Sequence, residues 1–162
     1  TSLAVAEKLG EQKVEWLEDP LLPDDMAGYE ILRDKCPIPI SGGEHDFTAK
    51  VFGDLIERGI YRVLQPDVCW CGGLTALIEI YQLAAKAGVR VVPHRGSEIW
   101  SLHAIAALDP EPLAESGRPW MTWVGGQPPI ADGRVSLPEE GSGFGVEIDE
   151  NGLEDLWTGG SG

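Results

Sequence analysis

The sequence predicts an α/β fold in which short strands alternate with helices. Three observations lead to this prediction: short apolar runs recur along the chain, an amphipathic helical segment follows most of them, and the strand–helix unit repeats with a period in the mid-twenties. Short apolar strands separated by helices are typical of a parallel sheet covered by helices. Two architectures fit this alternation, a doubly wound open sheet and a (β/α)8 barrel, and the period favours neither.

The predicted elements follow one another in a regular order. A first helix is predicted from Ser2 to about Lys8, before Gly10, which would end it. Strands are then predicted at residues 13–17, 37–40, 61–64 and 89–92, with a very short fifth strand at 113–115. Further helices are predicted at residues 25–35, 48–58, 74–87 and 99–108. Since a complete barrel usually needs about 250 residues, these 162 residues have room for only part of a barrel and a tail.

The character of the chain changes after Arg118. Residues 120–151 are rich in Gly and Pro, and short runs at 134–137 and 145–148 predict small strands outside the repeat. Residues 158–162, TGGSG, have the composition of a flexible linker. We therefore expect a partial barrel domain at 1–118, a C-terminal segment at 119–157 and a flexible linker at 158–162.

Composition excludes several classes of partner. A net charge of −15 argues against nucleic acid or an anionic membrane, because both bind basic surfaces. No stretch approaches the ~20 apolar residues of a membrane span, and residues 1–10 lack the basic start and apolar run of a signal peptide. The three cysteines, Cys36, Cys69 and Cys71, predict free thiols in a reducing compartment rather than a disulfide framework. We therefore expect a cytoplasmic protein.

Polar residues recur where the predicted strands end. They are spaced 26, 23, 27 and 21 residues apart, at Glu18, Glu44, Asp67, His94 and Glu115. In parallel α/β folds the carboxyl ends of the strands converge on one mouth, where active sites are built. Each of these residues taken alone is explained by the polarity of loops, but the repeated position predicts a metal and acid/base site.

The residue types suggest a division of roles. Carboxylate oxygens suit Mg²⁺, and Glu18 and Glu44 are the best candidates because each lies beside a turn-forming Pro or Gly. Asp67 and His94 follow successive strands, and a carboxylate that binds an imidazole orients it and raises its basicity. This pair is a candidate general base. His103 lies within a helical pattern and is interpreted as structural.

Five short motifs in unbroken order resemble the enolase superfamily, mandelate racemase subgroup, and within it the acid-sugar dehydratases. The motifs are WLEDP at 16–20, GEH at 43–45, QPDV at 65–68, CGGLT at 71–75 and VPH at 92–94. The resemblance covers roughly residues 2–150 and implies a partial (β/α)8 barrel of about strands four to eight. It also implies that residues 119–157 return to a capping domain.

The resemblance implies roles for individual residues. Glu18 and Glu44 would be Mg²⁺ ligands on strands four and five, and His45 would lie near the substrate. Asp67 and His94 would be the catalytic dyad on strands six and seven. Glu115, at the end of strand eight, would hydrogen-bond the developing enediolate. The implied reaction is dehydration of a small-molecule, L-rhamnonate-like sugar acid to a 2-keto-3-deoxy acid.

Three other interpretations stay open. The chain is compatible with a racemase or cycloisomerase of the same superfamily, with a catalytically incomplete half-barrel, and with an open-sheet binding module. The family's capping domain and first three barrel strands, which carry a third metal-binding carboxylate, have no counterpart in these 162 residues. We therefore expect the chain alone to be a poor enzyme that forms a homo-oligomer or pairs with a complementing N-terminal part.

Overall fold

The computed structural model describes residues 2–95, 98–138 and 140–153. Thr1, the end of the predicted C-terminal segment at 154–157 and the predicted linker at 158–162 lie outside the described residues. The α-helices are α1 (Ser2–Glu11), α2 (Met26–Lys35), α3 (Thr48–Glu57), α4 (Leu74–Ala87) and α5 (Glu98–Leu108). They agree with the helices predicted from the sequence to within a few residues at each end.

The main sheet has four parallel strands in chain order. They are β1 (Leu17–Glu18), β2 (Ile40–Gly42), β3 (Val63–Leu64) and β4 (Arg90–Val91). β2 pairs with β1 and β3, and β3 pairs with β4. A doubly wound sheet reverses its strand order at a switch point, and the described strands do not. The order is that of a (β/α)8 barrel, so the predicted partial barrel is confirmed and the open-sheet alternative is not supported.

Local sequence signals explain where the helices begin and end. The Asp25 carboxylate caps α2 by accepting a hydrogen bond of 2.9 Å from the Gly28 N–H. α4 ends at Gly88, which adopts a left-handed φ of 67° that favours glycine. The core lies between the sheet and the α3–α4 pair, where Phe52, Leu77 and other apolar side chains are fully buried.

Two strand predictions need correction. The predicted first strand at 13–17 begins later in the structure, where β1 covers only Leu17–Glu18; Lys13, with a φ of 56°, lies outside the extended region. The predicted fifth strand at 113–115 is wrong: residues 112–117 form no strand, and β4 is the last strand of the described sheet. A strand there would need backbone hydrogen bonds to a neighbouring strand, and the contact on this side uses the Glu115 side chain instead.

The C-terminal segment forms small antiparallel pairs outside the main sheet, and two of their strands lie in the runs predicted at 134–137 and 145–148. β5 (Val124–Gly125) pairs with β8 (Glu147–Ile148), and β6 (Ile130–Ala131) pairs with β7 (Arg134–Val135). A 3₁₀ turn at Arg118–Trp120 precedes them. Met121 and Val124 pack with Ile99 and Leu102 of α5, so a second apolar cluster joins the segment to the last helix. The domain boundary at 118/119 stays a prediction.

Two further predictions concern the whole chain. Cys36, Cys69 and Cys71 are all free thiols, as expected. Among the described residues, none of the helices has the length and apolar character that crossing a membrane requires.

Candidate active site

Backbone pairing continues past the strands and aligns the candidate site residues. The Asp19 N–H donates to Ser41 O at 3.1 Å, and the Gln65 N–H donates to Gly42 O at 2.8 Å. The His94 N–H donates to Pro66 O at 3.1 Å. Because each hydrogen bond joins neighbouring segments of the chain at the carboxyl ends of the parallel strands, the side chains that follow the strands meet at one rim.

Asp67 and His94 form a hydrogen-bonded pair at this rim. His94 Nδ1 lies 3.1 Å from Asp67 Oδ2, and the other oxygen, Oδ1, accepts a 2.8 Å hydrogen bond from the Cys69 N–H. Asp67 is buried, and each of its two carboxylate oxygens has one of these partners. The hydrogen bond to Asp67 raises the pKa of His94, burial opposes this, and the charges of Glu44 and Glu115 add to the rise. The predicted contact is confirmed, and the catalytic role of the pair stays a prediction.

Glu44 lies between two imidazoles. Its Oε2 is 3.2 Å from His94 Nε2, and its Oε1 is 3.3 Å from His45 Nε2. The second ring nitrogen of His94 therefore lies against the Glu44 carboxylate and does not face an open mouth. Glu44 thus connects the histidine of the dyad with the predicted substrate-binding histidine.

A candidate metal cluster contains a carboxylate that the sequence did not single out. Ligand atoms of Asp19, Glu44 and His45 all lie within 4.8 Å of one another. Burial raises the pKa of Asp19 to about 6, and the negative charges of Glu44 and Glu18 add to this effect.

Local geometry brings Asp19 inward. Asp19 has a φ of 38°, a left-handed conformation that Asp tolerates better than most residues. It packs over Gly42, where an added Cβ would lie 2.6 Å from Asp19 Oδ1. The missing Cβ of Gly42 therefore provides the space that the carboxylate occupies.

The donor set fits a hard divalent cation. Mg²⁺ prefers a few carboxylate oxygens and completes its shell with water or substrate oxygens. Asp19 and Glu44 supply two carboxylates within one cluster, and a cation there would offset the neighbouring negative charges that add to the effect of burial on the Asp19 pKa. His45 supplies a nitrogen, which Mg²⁺ favours less than oxygen.

Glu18, the predicted partner of Glu44, has a different contact. Its Oε2 accepts a 2.8 Å hydrogen bond from Gln65 Nε2, and it does not belong to the group formed by Asp19, Glu44 and His45. Gln65 is buried and was missed by sequence reasoning, although a polar residue directly after an apolar strand was a usable signal. Metal binding by Glu18 stays a prediction.

Glu115 lies beside the dyad although its segment is not a strand. Its Oε2 accepts a 3.0 Å hydrogen bond from the Arg95 N–H, directly after His94, and its charge contributes to the raised pKa of His94. The structure therefore brings the predicted residues into one neighbourhood, with Asp19 and Gln65 added.

Comparison with known proteins relates the chain to a known family. Residues 1–152 match the family model described as "Enolase C-terminal domain-like". The chain is 38% identical over 156 residues to an L-rhamnonate dehydratase of Saccharopolyspora erythraea, covering 89% of this chain and 40% of that protein.

Solved structures show the same relationship. The 3,6-anhydro-D-galactonate cycloisomerase of Zobellia galactanivorans is 30% identical with a TM-score of 0.81, over 94% of this chain and 45% of that one. The L-talarate dehydratase of Polaromonas sp. JS666, complexed with Mg and L-glucarate, is 27% identical with a TM-score of 0.84, and the match covers 94% of this chain and 42% of that one. This chain thus spans less than half the length of these relatives. With its parallel strand order and its family match, the chain belongs to the enolase C-terminal domain-like family of the enolase superfamily.

Proposed function

We propose that this chain supplies the second half of a Mg²⁺-dependent acid-sugar dehydratase site. The observation that carries the proposal is His94, held through Nδ1 by buried Asp67 and placed beside the Asp19–Glu44–His45 cluster. Likeness to an L-rhamnonate dehydratase supports an L-rhamnonate-like substrate. We propose a small-molecule sugar acid as the ligand, with no nucleic-acid or membrane partner.

The chemistry begins with a weakly acidic C–H bond next to the substrate carboxylate. Mg²⁺, when bound, would stabilise the negative charge that develops on that carboxylate. Enolase-superfamily sites commonly combine a Lys or His base with Mg²⁺, and we assign the role of base to His94 on that pattern. His94 would accept the proton at Nε2, which requires the Glu44 carboxylate to leave that nitrogen for the metal. Asp67 would hold the Nδ1–H, and Glu115 would hydrogen-bond the developing enediolate.

Loss of water completes the proposed reaction. The electron pair left by the α-proton forms a carbon–carbon double bond as the β-carbon–oxygen bond breaks. The departing hydroxyl takes a proton, which protonated His94 is placed to return, and leaves as water. The resulting enol tautomerises to the 2-keto-3-deoxy acid. His94 would act as base and then as acid, as the raised pKa of its ring allows.

The test replaces His94 in the protein that carries this chain. We expect His94→Asn to lower kcat by about 10²-fold or more, because a proton carrier is lost, while Mg²⁺ binding changes little. His103→Asn is the matched control, since His103 lies in α5 and not at the strand ends. Turnover is measured as 2-keto acid formed from a panel of sugar acids. Retention of most of the wild-type rate by His94→Asn would show that His94 is structural.

A second candidate is a cycloisomerase or racemase that shares the same first step. The 30% identity to a cycloisomerase favours keeping this alternative. The product distinguishes them, because dehydration releases water and gives a keto acid, whereas isomerisation conserves the formula of the substrate. Exchange of the α-proton with deuterated solvent, without any keto acid formed, would favour the alternative.

A further inference from the structure

A cavity of about 420 Å³ opens beside His94, apart from the carboxylate contacts described above. The residues that line it come from the loop after β4 and from the start of the C-terminal segment, and are His94, Arg95, Gly117, Trp120, Met121 and Trp123. Two indoles and a thioether therefore face a space that shares its wall with the proposed base. Pockets of this kind are typical sites for the apolar parts of small ligands.

Trp120 presents an exposed indole from an anchored backbone. Its side chain is 74% exposed, yet its N–H donates to Gly117 O at 2.9 Å in the 3₁₀ turn. The next residue, Met121, is buried in the cluster with α5, and its carbonyl accepts a 3.0 Å hydrogen bond from Gln127 Nε2. The backbone that carries the indole is therefore anchored before any ligand arrives.

The charges around the cavity are mostly negative. Carboxylates of Asp67 and Glu44 contact the His94 ring, and Glu115 accepts a hydrogen bond from the backbone of Arg95. The one permanently charged cation among the described residues that line the cavity is Arg95, which is exposed. A ligand carboxylate placed beside His94 would be repelled by these protein carboxylates, whereas an uncharged group would not be.

We propose that Trp120, with Met121 and Trp123, receives the end of the acid sugar remote from its reacting carboxylate and favours an uncharged end over a second carboxylate. This inference rests on the proposed function, because it takes His94 as the group that meets the reacting carbon. Trp120 is then a specificity-determining residue that packs against C–H groups of the substrate. The chain accordingly selects monocarboxylic aldonates and rejects dicarboxylic aldarates.

The experiment compares matched aldonates and aldarates, identical in stereochemistry except at the remote carbon, in the Mg²⁺-loaded protein that carries this chain. We expect kcat/KM for the aldonate to exceed that for the aldarate at least about tenfold, the size of discrimination that an apolar pocket supplies. Trp120→Ala should raise KM for the aldonate roughly tenfold with kcat nearly unchanged, because ground-state and transition-state binding are lost together. Trp120→Phe should restore most of the loss.

Two control variants separate substrate binding by Trp120 from the general effect of removing an exposed indole or a charge. Trp70→Ala removes another exposed indole, 54% exposed on the loop after β3, and should leave the aldonate-to-aldarate ratio unchanged. Arg95→Ala should change that ratio by less than about twofold, since truncating an exposed charge usually has a small effect. Thermal unfolding of each variant checks that it folds.

Several outcomes would overturn the inference. Wild-type preference for the aldarate, lost in Arg95→Ala, would show that Arg95 binds a second carboxylate in this cavity. An unchanged KM in Trp120→Ala would remove Trp120 from the substrate contacts. If neither series is dehydrated, the proposed function fails, and calorimetric binding of both acids still decides the inference, because equal affinities for wild type and Trp120→Ala would contradict it.

Discussion

Replacing Gly42 by Ala tests whether the packing at the end of β2 controls the metal cluster. An added Cβ would lie 2.6 Å from Asp19 Oδ1 and 2.6 Å from Tyr61 Cε1, closer than real Cβ atoms approach. Asp19 can rotate away, but the Tyr61 ring is buried and meets the Tyr29 ring edge-on at 5.1 Å. The new atom therefore pushes the carboxylate outward or strains the aromatic pair.

The expected magnitude follows from two opposing effects. Overpacking a rigid site costs about 1–3 kcal/mol, and the short contacts to Tyr61 place this case at the upper end. Replacing Gly by Ala within a strand recovers roughly 0.5–1 kcal/mol of backbone entropy. We expect Gly42→Ala to lower the free energy of unfolding by about 2 kcal/mol.

The assay combines urea unfolding, followed by tryptophan fluorescence, with calorimetric titration of Mg²⁺. Displacing Asp19 should weaken Mg²⁺ binding about 10- to 100-fold or more, because one of the two clustered carboxylates moves away from the ion. Gly53→Ala is the matched control, because Gly53 lies within α3 and its added Cβ would meet only Leu83 Cδ1 at 3.7 Å. That variant should gain about 0.5–1 kcal/mol. Wild-type stability and Mg²⁺ affinity in Gly42→Ala would refute the reasoning.

Four further predictions rest on the same structure. Asp67→Asn should reduce kcat less than His94→Asn does, because it disturbs orientation and basicity without removing the proton carrier; equal losses in a kinetic comparison would contradict this. Iodoacetamide should label exposed Cys69 in the native protein and reach buried Cys71 only after unfolding, as peptide mass spectrometry would show. Burial raises the Cys71 pKa from 9.0 to about 11, so the thiol's contribution to stability should be complete below pH 9 and lost as pH rises to about 11. If the free energy of unfolding of Cys71→Ala falls as steeply between pH 9 and 11 as that of the wild type, this prediction is refuted. The 162-residue chain alone should associate, because β1 and β4 are edge strands of the described sheet, and we also expect it to be a weak enzyme; light scattering that shows a monomer, together with an assay that shows full turnover of a sugar acid, would contradict this.

The alternation of elements could be predicted from the sequence because it depends on local properties. The helix ends at Gly88 and near Lys35, and the strand-end positions of Glu44, Asp67 and His94, follow from periodicity and turn residues. The family likeness adds the barrel, which periodicity alone leaves undecided. The fifth strand was mispredicted because a strand exists only when a neighbour supplies hydrogen bonds, and three residues of sequence do not contain that information.

By itself, the sequence determined which end of the parallel sheet carries the polar groups, because parallel strands followed by helices bring their carboxyl ends to one side. Only the tertiary structure decided which carboxylates meet there. Glu18 and Asp19 are adjacent in sequence, and the left-handed φ of Asp19 together with the open space over Gly42 places Asp19 in the cluster with Glu44 and His45. Backbone angles and packing decide where the side chains of two adjacent residues point. Both depend on contacts with distant parts of the chain.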